Sequence, residues 1–170
     1  MSEIRFEYTN PRRVVAGTVG QPGERVFYLQ VEQDSRITSV KMEKQQVAIL
    51  AEQLDELVDA QCVSKFDAGT IDAAALAMPL DSEFSADAIA IKYRQGDDFI
   101  VIEVTGEPED ADVPSTLAVH LPLKQVRAFT ERCRRVVAAG RKPCPICEQP
   151  LDPAGHICPR ANGYLRYAPS

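Results

Sequence analysis

The sequence predicts an α+β fold: two βββα-like repeats, each with antiparallel sheet and one helix, form a body, and a small C-terminal zinc knuckle follows it. Three observations predict this. Apolar alternation at period two marks strands in two clusters, an apolar stripe at period 3.6 follows each cluster, and metal-ligand residues crowd the C-terminal segment. The body covers residues 1–140, with repeat halves at about 1–63 and 83–140 joined by a linker over 64–82; the zinc-binding tail covers 141–170.

A first strand is expected over Ile4–Tyr8. In the first half, strands over Val14–Val19, Val26–Gln33 and Arg36–Met42 precede a helix from Glu43 to about Cys62. In the second half, strands over Asp87–Arg94, Asp98–Thr105 and Thr116–Leu121 precede a helix over Pro122–Ala139. The halves share a register, because Val40-Lys41-Met42-Glu43-Lys44-Gln45-Gln46-Val47 aligns with Val119-His120-Leu121-Pro122-Leu123-Lys124-Gln125-Val126. Carried onward, that register pairs Val47, Leu50, Leu54, Leu57 and Val58 with Val126, Phe129, Cys133, Val136 and Val137. Each set makes one apolar helical stripe. Pro122 stands at a first helical turn, where its missing N–H costs nothing.

Turn residues bracket the strands. Gln21-Pro22-Gly23-Glu24 fits a type II turn, with proline fixing φ at the second position and glycine supplying a positive φ at the third. Gln95-Gly96-Asp97-Asp98 closes the second hairpin. Ser64 to Ser82 is rich in Ala, Asp and Gly and reads as a linker with room for one helical turn; Glu107 to Pro114 is an acidic loop. Gly140 ends the last helix and leads into the tail.

The tail carries the sharpest chemical pattern. Cys144, Cys147, His156 and Cys158 follow the spacing C-x2-C-x8-H-x-C. Zinc takes four such ligands in a tetrahedron, and two close pairs across a short loop supply them with little strain. Four protein ligands leave no open coordination position, so the expected zinc is structural. Leu151, Ile146 and Ile157 are the main apolar content of the segment, so metal binding would supply its folding free energy.

At 170 residues, with 45% hydrophobic and 26% charged, the chain has the length and composition for a packed core with a small appendage. No apolar run is long enough for a membrane span, and Met1-Ser2-Glu3-Ile4-Arg5-Phe6-Glu7 lacks an apolar signal region. The expectation is a cytoplasmic protein with no membrane partner. The odd count of five cysteines speaks for thiols or metal ligands over a disulfide framework. Charge is uneven: residues 1–126 sum to −11 and residues 127–170 to +5. An acidic body disfavours broad nucleic-acid binding, whereas Arg134, Arg135, Arg141, Lys142, Arg160 and Arg166 on the basic side could meet phosphate or pack on the body.

Other features read as structural. Gly17 to Gly23 lacks the Lys-Ser/Thr of a phosphate loop and joins two strands, so it is a hairpin. His120 alternates with core residues and has no catalytic partner at a telling spacing. Cys133 falls in the apolar stripe and reads as a small core residue, and Cys62 reads likewise. Glu52, Asp55, Glu56 and Asp59 line a helix face that reads as solvated and acidic. No familiar hydrolase, metalloprotease, dinucleotide-binding or kinase pattern is present.

Several runs carry a resemblance: Gly17-Thr18-Val19-Gly20-Gln21-Pro22-Gly23-Glu24-Arg25, Glu43-Lys44-Gln45-Gln46-Val47, Leu54-Asp55-Glu56-Leu57, and Cys144-Pro145 with Pro150-Leu151-Asp152-Pro153 through Gly155-His156-Ile157-Cys158-Pro159-Arg160-Ala161-Asn162-Gly163-Tyr164. Together they resemble an uncharacterised actinobacterial family classed as a domain of unknown function. The resemblance spans nearly the whole chain and implies no assigned activity and no catalytic residues. It carries over the Cys/His segment and the run Arg160 to Tyr164, in which Arg160, Asn162 and Tyr164, with Arg141 and Lys142, are candidate recognition residues.

The leading functional expectation is a non-enzymatic, zinc-stabilised binding or adaptor protein acting through protein contacts. Two other classes stand beside it: a nucleic-acid-associated protein using the basic tail, and an enzyme or ligand carrier with a site between the repeats.

Overall fold

The computed structural model describes residues 3–21, 23–60, 70–139, 145–146, 156–157 and 166–167. Among the described residues seven strands and two helices make the body. In chain order they are β1 (Ile4–Tyr8), β2 (Arg13–Val19), β3 (Val26–Gln33), β4 (Arg36–Met42), α1 (Lys44–Ala60), β5 (Ser82–Lys92), β6 (Phe99–Glu107), β7 (Ser115–Pro122) and α2 (Leu123–Ala138). A separate pair, β8 (His156–Ile157) and β9 (Arg166–Tyr167), lies in the tail. No helix among the described residues is long and apolar enough to cross a membrane.

The strands form one sheet in the order β1-β7-β6-β5-β4-β3-β2. It is mixed where the sequence predicts antiparallel pairing throughout. β2-β3-β4 and β5-β6-β7 are antiparallel, but β4 pairs β5 in parallel and β1 pairs β7 in parallel. The reason is topological: the chain leaves β4 into a helix and returns through a long connection, and such a crossover delivers the next strand parallel. β5 also begins five residues earlier than predicted, at Ser82, because Phe84 is buried and this first stretch pairs with Ser39–Lys41. A register shift between Ala86 and Ala88 then separates that stretch from the predicted strand.

Alternation along the strands puts Val14 and Ala16, Leu29 and Val31, and Ile100, Ile102 and Val104 on one face. Both helices pack their stripes on that face. Val47, Leu50, Leu54 and Val58 of α1, and Val126, Phe129 and Cys133 of α2, are buried in the same core. Leu57, Val136 and Val137 pack against it from partly buried positions. The N-terminus of α1 is closed by Gln46, whose Oε1 accepts from the Glu43 N–H at 2.8 Å, half of a capping box. At the other end of the helical layer, Arg25 donates Nη2 to the Val136 carbonyl at 2.7 Å, satisfying a group that the last turn leaves unpaired.

The sheet curls, and its far strands meet. The Tyr8 hydroxyl of β1 shares a buried hydrogen bond of 2.6 Å with Thr38 Oγ1 of β4, although three strands lie between them in the sheet. The predicted linker is not a spacer. Its described part, 70–81, contains no helix and lies over the other face of β2 and β3. Leu76, 8% exposed, packs against Gly17, and Ala77 exchanges both backbone hydrogen bonds with the buried Gln30 amide at 2.8 and 3.1 Å.

Candidate functional site

β2 is an edge strand, and the edge is where the charged groups gather. Arg13 and Glu32 stand opposite each other on β2 and β3, with side chains on the face away from the helices. Asp72, on the 70–77 strap, accepts from Arg13 Nε at 2.5 Å and from Arg13 Nη2 at 3.1 Å. Arg13 Nη2 also donates to the Ala74 and Ala75 carbonyls, and its Nη1 lies 3.5 Å from Glu32 Oε2. Arg12 Nη2 donates to the other Glu32 oxygen at 3.0 Å.

Arg132 reaches the same place from α2. It is buried, donates Nε to the Ala16 carbonyl at 2.7 Å, and sends Nη1 to the Asp72 carbonyl at 2.5 Å and to Asp72 Oδ1 at 3.3 Å. Burial depresses its pKa; the Asp72 charge acts upward and the Arg13 charge downward. Asp72 is held below the ordinary carboxyl range by its hydrogen bond from Arg13, against a desolvation that raises it, with the Ala74 N–H adding to the lowering. Between these groups and the N-terminal half of α2 lies a cleft of about 270 Å³, bordered by Arg12, Arg13, Thr70, Asp72, Gln125 and Arg132. It draws on the first half, the strap and the second half of the chain at once.

A second concavity, about 420 Å³, runs between α1 and α2. Ala48, Ala51, Val137 and Ala138 give it an apolar base, and Glu52 and Glu56 are exposed along it. The sequence places Asp55 on the same solvated face, but the structure turns it inward, 8% exposed. Its Oδ1 accepts from Arg127 Nη1 at 3.0 Å and Thr130 Oγ1 at 2.9 Å, and its Oδ2 faces the Arg134 guanidinium without a hydrogen bond of ordinary geometry. A carboxylate in the C-terminal part of α1 thus joins the two helices across a polar seam. Arg127 also pairs with Asp59, and Arg134 and Arg135 both pair with Glu131.

The third is a cavity of about 430 Å³ beside the start of α2, bordered by Asp98, Phe99, His120 and Lys124. The His120 ring packs at a tilt of 31° against Phe99, with ring centroids 4.9 Å apart, and has Nε2 at 3.6 Å from Glu7 Oε1. The carboxylate neighbour comes from the other end of the sequence, which is why spacing did not reveal it. Cys133 is fully buried, and desolvation pushes its thiol up to about 12, so it is not a nucleophile at neutral pH.

Of the predicted metal ligands, Cys144, Cys147 and Cys158 lie outside the described residues, as do Arg141, Lys142, Arg160, Asn162 and Tyr164. The backbone of His156 pairs with Tyr167 in the β8–β9 ladder. Among the described residues no group of His, Cys, Asp and Glu is placed to hold a metal ion.

The model of a family described as a protein of unknown function, DUF3090, matches residues 6–158. The chain belongs to the DUF3090 family. No curated protein and no solved structure matches it. The family match takes in the sheet-and-helix body from Phe6 of β1 onward and the Cys144 to Cys158 segment, but brings no activity with it.

The groups that sequence reasoning missed are Arg13, Glu32, Asp72 and Arg132. Only Arg132 leaves a readable signal: it lies three residues after Phe129 and four before Val136, inside the apolar stripe of α2. A cation in such a stripe marks a buried polar contact. Asp72 sits in a composition that reads as linker and offers none.

Proposed function

We propose that this chain is a cytoplasmic, zinc-stabilised binding protein that works through protein contacts, and that the groove between α1 and α2 receives a basic segment of its partner. The groove is the observation that carries the reading. It combines an apolar base with Glu52 and Glu56, which make no ion pair among the described residues, so it offers both burial and charge to a Lys/Arg-bearing chain. The zinc reading rests on Cys144, Cys147, His156 and Cys158, whose residue types and spacing suit a closed tetrahedral site. We further read the body as a tandem repeat. β2-β3-β4-α1 and β5-β6-β7-α2 follow the same order, meet through the parallel β4–β5 pair, and bury corresponding helix positions. The nucleic-acid reading is weaker, since Arg134 and Arg135 are engaged by Asp55 and Glu131.

The test is titration of a fluorescent Lys/Arg-rich peptide with the full chain at low and high salt. The expected result is saturable binding that weakens with salt and drops about tenfold in a Glu52→Gln/Glu56→Gln variant. No binding at low salt, or binding indifferent to the double substitution, overturns the groove as the contact surface.

A further inference from the structure

We propose that the cleft between the β2 edge, the 70–77 strap and α2 binds a small organic molecule through a phosphate monoester group, drawn by the guanidinium groups of Arg12 and Arg132 that both border it. This site is separate from the interhelical groove, and its test is independent of it.

The charged groups form a row: Arg12, Glu32, Arg13, Asp72, Arg132. Signs alternate, and the row begins and ends on arginine, leaving one net positive charge in a body whose total is strongly negative. The middle of the row is saturated. Arg13 spends Nε and Nη2 on Asp72, Ala74 and Ala75, and is mostly buried. The ends are not. Arg12 has a side chain 68% exposed and one hydrogen bond, and Arg132 leaves Nη2 without a hydrogen-bond partner among the described residues. A buried guanidinium whose other acceptors are neutral carbonyls shares a single carboxylate with Arg13, so its charge is incompletely balanced, and an anion entering the cleft would balance it.

The surroundings select the anion. Guanidinium forks match carboxylate and phosphate oxygens alike, but a phosphate monoester carries a third free oxygen, for which Thr70 and Gln125 border the cleft with further polar groups. Phe129 supplies an apolar wall on the α2 side, so the cleft suits an anionic head on a compact apolar body. A volume of about 270 Å³ limits the ligand to a small molecule and excludes a folded partner.

The test is calorimetric titration of the full chain with phenyl phosphate, inorganic phosphate and benzoate at constant ionic strength. Phenyl phosphate is expected to bind saturably and more tightly than either of the others. Arg12→Gln, at an exposed position, is expected to weaken it about tenfold with the melting temperature unchanged, the worth of a charge-assisted contact. Arg132→Lys, which keeps the charge but not the fork, is expected to weaken binding as well, and a melting curve run beside it, lowered but still cooperative, separates lost binding from lost fold. Absence of saturable phenyl phosphate binding at millimolar concentration, or unchanged affinity in Arg12→Gln, overturns the proposal. Benzoate binding as tightly as phenyl phosphate overturns the phosphate assignment.

Discussion

Arg132 closes the open edge of β2 by donating Nε to the Ala16 carbonyl at 2.7 Å. An edge strand presents unpaired carbonyls that other chains can pair with, and covering them from a helix is one way to remove the hazard. Here the cover is also a tie. The same guanidinium binds the backbone and the carboxylate of Asp72, so α2, β2 and the strap meet on one side chain.

Truncating that tie is expected to cost far more than a surface arginine would. Arg132→Ala leaves a buried carbonyl unpaired and removes one of the two guanidinium partners of Asp72, a loss of about 2–4 kcal/mol. Arg132→Lys, with one point charge in place of a planar fork, should recover less than half of it. Urea unfolding of the full chain measures both. A loss below about 1 kcal/mol for the alanine variant would show that the β2 edge holds without this contact.

Acid should loosen the strap. Because Arg13 holds the folded Asp72 carboxyl below its ordinary range, the ionised form stabilises the fold at pH values above the unfolded pKa, about 3.9. That contribution is lost as pH falls through the folded pKa. Asp72→Asn is therefore expected to be less stable than the parent chain at pH 7, with the difference shrinking as acid protonates the parent. The side chain is 38% exposed, so solvent screening keeps the difference modest. Urea midpoints of the two chains from pH 7 to pH 3 decide it; a gap that stays constant means the carboxylate charge does not contribute.

Two glycines separate a hard close approach from a soft one. A Cβ on Gly106 would overlap the Ser85 carbonyl of the neighbouring strand, backbone that cannot yield without moving β5. At Gly17 the obstacle is the Leu76 side chain, 2.6 Å from the added atom and able to swing within the strap. Gly106→Ala is expected to destabilise by about 2–4 kcal/mol and Gly17→Ala by about 1–2 kcal/mol, on the scale of overpacking a filled core. Thermal melts that reverse this order would show that β5 adjusts more readily than the strap.

Much of the body was legible because local pattern and burial agree. Val47, Leu50 and Leu54 announce the buried side of α1, and Val126, Phe129 and Cys133 that of α2. Gly23, with φ of 95°, and the Glu24 N–H to the Gln21 carbonyl at 2.9 Å realise the turn that the Pro-Gly pair predicts. Pairing direction was not legible: nothing in β5 says whether it meets β4 in parallel, since that follows from the path of the crossover. The cleft was hidden for a related reason. Arg12, Asp72 and Arg132 are brought together across more than a hundred residues, and such contacts leave no periodicity. Asp55 shows the opposite failure: helical spacing groups it with exposed Glu52 and Glu56, yet the neighbouring helix supplies Arg127 and Thr130, and the carboxylate turns in.

Thiol chemistry distinguishes the core cysteine from the proposed metal ligands. Burial pushes the Cys133 thiol up to about 12, so at pH 8 almost none of it is thiolate and reagent cannot reach it. Cys144, Cys147 and Cys158, if bound to zinc, are thiolates shielded by the metal, and a strong chelator frees them. In a Cys62→Ser background, a disulfide reagent at pH 8 is therefore expected to react slowly with the folded chain and rapidly after chelation. A colorimetric zinc indicator should report about one equivalent of metal released per chain in step with the thiols. Cys133→Ala should leave the chelator-dependent signal unchanged, because that thiol reacts only on unfolding. Cys147→Ser should abolish the metal release together with the protection of Cys144 and Cys158. Thiols that react equally fast before and after chelation, with no zinc in solution, would remove the metal site and leave the tail to be held by other means.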